Sequence, residues 1–156
     1  MSLTFREIDE TDLPAVLRLY AQLGEDDGRV LTLEQARDIY RRMRSYPDYQ
    51  LYLAELDAEP VGTFALLVMD NLGHLGARSA VLEDVVVDTR LRGRGIGKQM
   101  MEFANRICLD KGCYKMSFSS NRNRKAAHRF YESLGFRRHG ISFYIDYREG
   151  GYEPEP

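Results

Sequence analysis

The stretch VVVDTRLRGRGIGK, residues 85–98, joins three devices in one run. A valine-rich segment, as expected of a central strand covered on both faces, ends at Asp88. A short loop of arginines and glycines follows, and an amphipathic helix begins among the glycines. Glycine lets a backbone come close to a ligand, and the first-turn N–H groups of a helix point outward, unpaired, with the positive end of its dipole. Such a junction suits phosphate. Spacing excludes the common nucleotide loops. A Walker loop needs Ser or Thr after its lysine, where this chain has Gln99. The dinucleotide fingerprint G-x-G-x-x-G fails because Gly93, Gly95 and Gly97 alternate strictly. What remains is R-x-x-G-x-G, residues 92–97.

Working outward, LTFREI is a short alternating strand, and DETDLPAVLRLYAQL follows with an Asp cap and Pro14 in the first helical turn. TLEQARDIYRRMRS opens with Thr32 and Gln35 spaced as a capping box and repeats Leu33, Ala36, Ile39, Tyr40 and Met43 on one face. QLYLAEL, DAEP and VGTFALLVM read as a β-hairpin with Pro60 at its corner, and AVLEDVVVD as the strand entering the glycine loop. A third helix runs over residues 95–110, with Ile96, Met100, Phe103, Ala104 and Ile107 facing the core. CYKMSFSS is a strand, and NRKAAHRFYESLGF a helix capped by Asn123 and stopped by Gly135. SFYIDY, residues 142–147, is a last strand. The order βααβββαβαβ predicts one mixed α/β domain over residues 1–148, with 149–156 as a loosely held Gly-, Pro- and Glu-rich tail.

At 156 residues, 44% hydrophobic and 29% charged, the chain has the composition of a soluble globular domain, one that buries about two thirds of its unfolded surface. Its net charge of -2 hides a segregation. Residues 1–89 hold 8 Lys and Arg against 17 Asp and Glu, whereas residues 90–156 hold 14 against 7. A basic half receives an anionic ligand and an acidic half a cationic one. The negative total, with no basic stripe interleaved with aromatics, argues against nucleic acid despite Arg122, Arg124, Lys125 and Arg129. No export signal and no run of eighteen apolar residues appears, so the expectation is a cytoplasmic protein without a membrane segment. Cys108 and Cys113 read as reduced structural thiols. His74, His128 and His139 show no metal-ligand spacing with them, so no metal is expected.

With these elements in order, residues 85–98 resemble the acetyl-CoA signature of the GNAT superfamily of N-acetyltransferases. AAHRFYESLGF, residues 126–136, is similar to that family's last motif, and the strand order matches from Leu3 to Tyr147. The resemblance implies a central, mostly antiparallel, twisted sheet of six to seven strands flanked by about four helices, with a cofactor cleft between splayed central strands. It implies that Val85, Val86 and Val87 offer backbone groups to the pantetheine arm. Arg92, Gly93, Arg94, Gly95, Ile96, Gly97 and Lys98 would wrap the pyrophosphate, while Asn123, Arg124, Ala127 and Phe130 would lie along the cofactor. Many members carry asparagine seven residues before the motif's tyrosine; here that place is Arg124.

Acyl transfer to an amine asks for three things. The alkylammonium must lose a proton, the departing thiolate gains from receiving one, and the thioester oxygen becomes negative in between. Tyr131 matches the tyrosine that protonates the thiolate in the family, and a phenol stays protonated at neutral pH while donating. Glu83 and Asp84 precede the cofactor strand, on opposite faces if pairing is regular. Glu83 is the first choice of base, because a Leu-Glu-Asp run also occurs in polyamine acetyltransferases; a bulge would re-aim the side chains and keep Asp84 in play. Backbone N–H groups of residues 85–87 suit the oxyanion.

The acceptor is a primary amine, most simply that of a small molecule. EDVVVD resembles glucosamine-6-phosphate acetyltransferases, LED polyamine enzymes, and AHRFY aminoalkylphosphonate and aminoglycoside enzymes. The acidic turn GEDDGR favours a cationic acceptor. Two other readings compete: a non-catalytic acetyl-CoA-binding sensor, and a protein or peptide N-acetyltransferase. By analogy with the family, a homodimer could use SFYIDY.

Overall fold

Alternation of apolar and polar residues makes LTFRE a strand, β1 (Leu3–Glu7), in a computed structural model that describes residues 2–148 and 154–155. A turn capped by Asp9 leads into helix α1 (Leu13–Tyr20), with proline in its first turn. Helix α2 (Leu33–Met43) starts at the expected capping box, in which Thr32 and Gln35 satisfy each other's backbone N–H groups. Strands β2 (Tyr49–Leu56), β3 (Glu59–Met69) and β4 (Arg78–Val87) follow, then helix α3 (Ile96–Asp110) and strand β5 (Cys113–Ser117). The five strands form one sheet ordered β1-β2-β3-β4-β5, antiparallel except for the parallel β4–β5 pair.

Two corrections concern the hairpin and the strand count. The β2–β3 turn is made by Asp57 and Ala58, both at positive φ, so Pro60 lies inside β3 rather than at the corner. It is tolerated there because the ladder slips beside it: Glu55 faces Pro60 and Ala54 faces Gly62, leaving Val61 extra. Among the described residues the sheet has five strands, not six to seven. SFYIDY forms no ladder among the described residues, and Phe143, Tyr144 and Tyr147 are largely exposed. Alternating apolar residues make a strand only where a neighbour accepts the backbone bonds. The expected tail, residues 149–156, falls mostly outside the described residues.

The chain divides into two compact units, Met1–Phe118 and Ser119–Pro156. In the first, one face of the sheet packs Leu51, Leu53, Ala65 and Val86 against Leu13, Val16 and Leu19 of α1 and Ala36 and Tyr40 of α2. The other face receives α3, whose Phe103 stacks on Phe5 at 4.9 Å and meets Tyr52 edge-on at 5.7 Å. Met100 and Ala104 are fully buried, as the helical stripe requires. Each buried large side chain of this kind contributes roughly 1.5–3 kcal/mol. Gly62 is what lets α3 approach: a Cβ there would stand 2.7 Å from Met100 Sδ and 3.1 Å from the Val86 carbonyl oxygen.

In the second unit, helix α4 (Lys125–Ser133) ends as expected at Gly135, whose φ is 91°. Its N-terminus departs from expectation. Arg124 occupies the cap position with no side-chain cap bond, while Asn121 Oδ1 accepts from the Asn123 N–H at 2.9 Å. Among the described residues no helix is long and apolar enough to cross a membrane.

Candidate active site

The β4–β5 ladder runs only from Arg78–Cys113 to Val81–Ser117, while β4 continues through Val87 beside β3 alone. The backbone of Val85, Val86 and Val87 therefore has no β5 neighbour, which is the splayed edge an extended pantetheine-like chain would complete as a pseudo-strand. Val86 is buried, so its side chain belongs to the core.

Gly95 is the N-cap of α3 at φ 78°, and Gly93 has φ 79°. Both have open space where a Cβ would stand. Left-handed residues just before a helix turn successive N–H groups toward one point, and the helix dipole adds to the field there. Arg92, Arg94 and Lys98 are exposed around this turn, whereas Ile96 is 4% exposed and anchors α3 in the core. The sequence-predicted loop thus splits into backbone donors and solvent-facing cations, with one core anchor. Its shape and charge fit a diphosphate.

The loop is braced from below by a residue that sequence reasoning passed over. Asp88 is inaccessible to solvent, and its carboxylate accepts from the Arg90 backbone N–H at 3.0 Å, Arg90 Nη2 at 2.8 Å and Arg18 Nη1 at 3.1 Å. The Arg90 and Arg18 hydrogen bonds hold this carboxyl well below the usual range against the opposing effect of burial. Arg18 Nη2 also donates to the Pro60 carbonyl at 2.8 Å, and the Thr89 N–H donates to Gln22 Oε1 at 2.8 Å. Arg18 and Gln22 sit on α1 and the turn after it, so one helix holds the entrance of the loop. An acidic residue closing a valine run, two residues before an arginine, was the available signal.

Asp84 stands in a bulge and Glu83 directly before it. Thr63 faces Val86 and Ala65 faces Glu83, so Asp84 and Val85 of β4 stand opposite the single residue Phe64 of β3. Asp84 takes φ 52°, the left-handed conformation that opens such a bulge. Pairing is therefore irregular here, and the bulge allowed for in the sequence breaks the alternation that would put the two on opposite faces. Glu83, directly opposite Ala65, shares its face toward α1 and α2, and Asp84 lines a cavity under the same helices. Both carboxyls reach solvent, yet crowding by protein raises them above the usual range. For Glu83, Asp84 and then Glu25 add to that rise, and for Asp84, Glu25 does. Tyr20 and Tyr49, not singled out from the sequence, have phenols raised first by burial and then by the Asp84 charge.

The cavity itself measures about 490 Å³ and is bounded by α1, α2, Leu51 of β2 and the segment between the helices. In the second unit, Tyr131 lies on α4 with Ala127 and Phe130. Its ring tilts on Phe130 at 5.4 Å and meets Phe136 edge-on at 6.2 Å. Burial raises the phenol above its ordinary value and the Arg124 charge partly offsets this, so it holds its proton at neutral pH. His128 Nε2 is within 2.9 Å of the Asn121 carbonyl, which fixes its ring locally. Cys108 and Cys113 are free thiols, with burial pushing Cys108 up to about 12, in keeping with a structural role.

Comparison with known proteins places the chain among acetyltransferases. A glucosamine 6-phosphate N-acetyltransferase of Trypanosoma brucei brucei is 30% identical over 94% of this chain and 97% of its own length. A thialysine N-epsilon-acetyltransferase of Bos taurus is 28% identical over 83% and 81%. Among solved structures, a putative acetyltransferase from Agrobacterium tumefaciens superposes with a TM-score of 0.86 at 32% identity, covering 92% of this chain and 99% of that one. The acetyltransferase (GNAT) family matches residues 10–136, a span that takes in the bulged strand, the glycine loop and α4. A match over this much of the chain shows that it belongs to the GNAT family of acetyltransferases.

Proposed function

We propose that the protein transfers the acetyl group of acetyl-CoA to the primary amine of a small molecule, residues 1–148 working as one acetyltransferase domain. The observation that carries this is the end of β4. The strand outruns β5 and passes into a turn with two left-handed glycines at the N-terminus of α3. Family members use acetyl-CoA, and this turn suits its diphosphate.

The backbone of Val85, Val86 and Val87 holds the extended arm, and the turn from Gly93 to Lys98 holds the diphosphate, with Arg92, Arg94 and Lys98 adding charge. Asn123, Arg124, Ala127 and Phe130 are assigned to the cofactor by family resemblance. When bound, acetyl-CoA supplies an acetyl thioester, an acyl group already activated for attack by an amine. The N–H groups of residues 85–87 meet negative charge developing on the thioester oxygen. Glu83 accepts the proton that the incoming ammonium must lose, directly or through water, with Asp84 as the alternative. Their raised ionisation brings them closer to neutral pH, which favours a base over an inert carboxylate. Tyr131 donates a proton to the departing thiolate.

The test is thiol release from acetyl-CoA over a panel of primary amines, with the acetylated product identified by mass. Amine-dependent release supports the reading. Saturable acetyl-CoA binding with no release on any amine would replace it with a sensor, and release only with peptides would move the acceptor to protein N-termini or lysines.

A further inference from the structure

The cavity beneath α1 and α2 has a composition that selects among acceptors. Its walls are Val16 and Leu17 of α1, Ile39 and Met43 of α2, and Leu51 of the sheet. At its rim Val30 and Leu31 are 46% and 41% exposed, apolar side chains left facing water on the segment between the helices. The charged residues that line it are Glu25, Asp26, Arg29 and Asp84, three acids and one base. Arg29 Nε donates to the Asp26 carbonyl at 3.0 Å, and the Tyr40 hydroxyl donates to the Ile8 carbonyl at 3.1 Å, so two polar groups of the lining are tied to the backbone.

A sugar phosphate would be poorly served here. A phosphate dianion is bound by convergent cations or N–H groups, and each sugar hydroxyl removed from water needs a partner. The lining offers mostly carbon and carboxylate. An ammonium on an apolar body has the complementary pattern, with the cation meeting Asp84 in its bulge and the body lying along α1 and α2. The excess of acid in residues 1–89 favours the approach of a cation. A volume of about 490 Å³ suits a small molecule rather than a folded partner.

Resting on the acetyltransferase reading, we infer that the acceptor is an apolar-bodied primary amine, an alkylamine or arylalkylamine, bound with its ammonium at Asp84 and its body in this cavity. The inference separates this chain from the glucosamine 6-phosphate enzyme it resembles. The same bulge that places Asp84 in the lining leaves Glu83 on the same face, so the bound ammonium stands beside the proposed base.

The experiment uses a homologous series of straight-chain amines from butylamine to octylamine, together with glucosamine 6-phosphate. Dissociation constants are measured by calorimetry on the full chain with CoA present, beside turnover with acetyl-CoA. Each added methylene buried in the cavity is expected to tighten binding about fourfold until the space is filled. Asp84→Asn weakens every amine by about tenfold through loss of a charge-assisted contact. Leu17→Trp, which fills the cavity, abolishes the dependence on chain length while acetyl-CoA binding, the control for folding, is kept. Affinity that does not vary with chain length, or tighter binding of glucosamine 6-phosphate than of any amine in the series, overturns the inference. So does a preference for a peptide over an amine carrying the same side chain. Chain-length-dependent binding without acetyl transfer supports the cavity assignment while the catalytic reading fails, so the two are told apart.

Discussion

Arg18 Nη1 donates to Asp88 Oδ2 at 3.1 Å, joining α1 to the residue at which β4 gives way to the glycine loop. Arg18 is 43% exposed along its side chain and Asp88 not at all, so a solvent-facing cation holds a buried anion. The helix that forms one wall of the proposed acceptor cavity thereby also fixes the entrance of the proposed diphosphate loop.

Replacing Asp88 with Ala is expected to cost about 3 kcal/mol, since it removes a buried acceptor of several charged hydrogen bonds. The Asp88 carboxyl lies below its unfolded value of 3.8, so its contribution is present above that pH and fades as pH falls below it. Urea midpoints of wild type and variant should therefore converge on acidification. The KM for acetyl-CoA should rise in the variant, and a loop unaffected by the loss would leave it unchanged.

Gly95→Ala places a Cβ at φ 78° on the cap of α3. The strain is about 1 kcal/mol, and acetyl-CoA binding should weaken beyond what stability loss explains, because the N–H groups are re-aimed. Titration of acetyl-CoA at a temperature where both proteins are folded checks this. Equal affinities would remove the turn from the cofactor site.

Asp84→Asn should trade activity for stability. A carboxyl raised above its unfolded value disfavours its own ionised form in the fold, a cost present at neutral pH and absent below about 3.8. The Asn variant keeps the left-handed backbone and should melt higher at pH 7, the gap closing as pH falls. In the wild type, kcat/KM for the amine should fall on its acid side through an ionisation above the ordinary glutamate value of 4.5, and Glu83→Gln should remove that limb.

Tyr131→Phe should lower kcat about 100-fold with little change in acetyl-CoA affinity, the signature of a lost proton donor. An unchanged kcat would return Tyr131 to the role of a packing aromatic on α4.

Much of the architecture was legible before the structure. The capping box at Thr32 and Gln35, the stripe of α3 and the Gly135 stop are local features, in which side chains three to four residues apart decide the outcome. The SFYIDY segment misled because a strand is a property of two segments, and its alternation did not reveal whether a partner strand was there. Pro60 misled for a similar reason. A slip in the β2–β3 ladder absorbs its missing N–H, and that slip is settled between strands.

The sequence by itself determined the turn proposed for the acetyl donor. Glycine spacing at 93, 95 and 97 fixes backbone conformations within a few residues, and no distant contact is needed to read them. Only the tertiary structure decided the acceptor side. The bulge at Asp84 exists because β4 carries one residue more than β3 between two paired rows, and this turns Glu83 and Asp84 to one face. The cavity that Asp84 borders is built from two helices and a strand whose residues lie far apart along the chain. Long-range packing sets register and cavity shape, so the cavity proposed for the amine emerged only when the chain was folded.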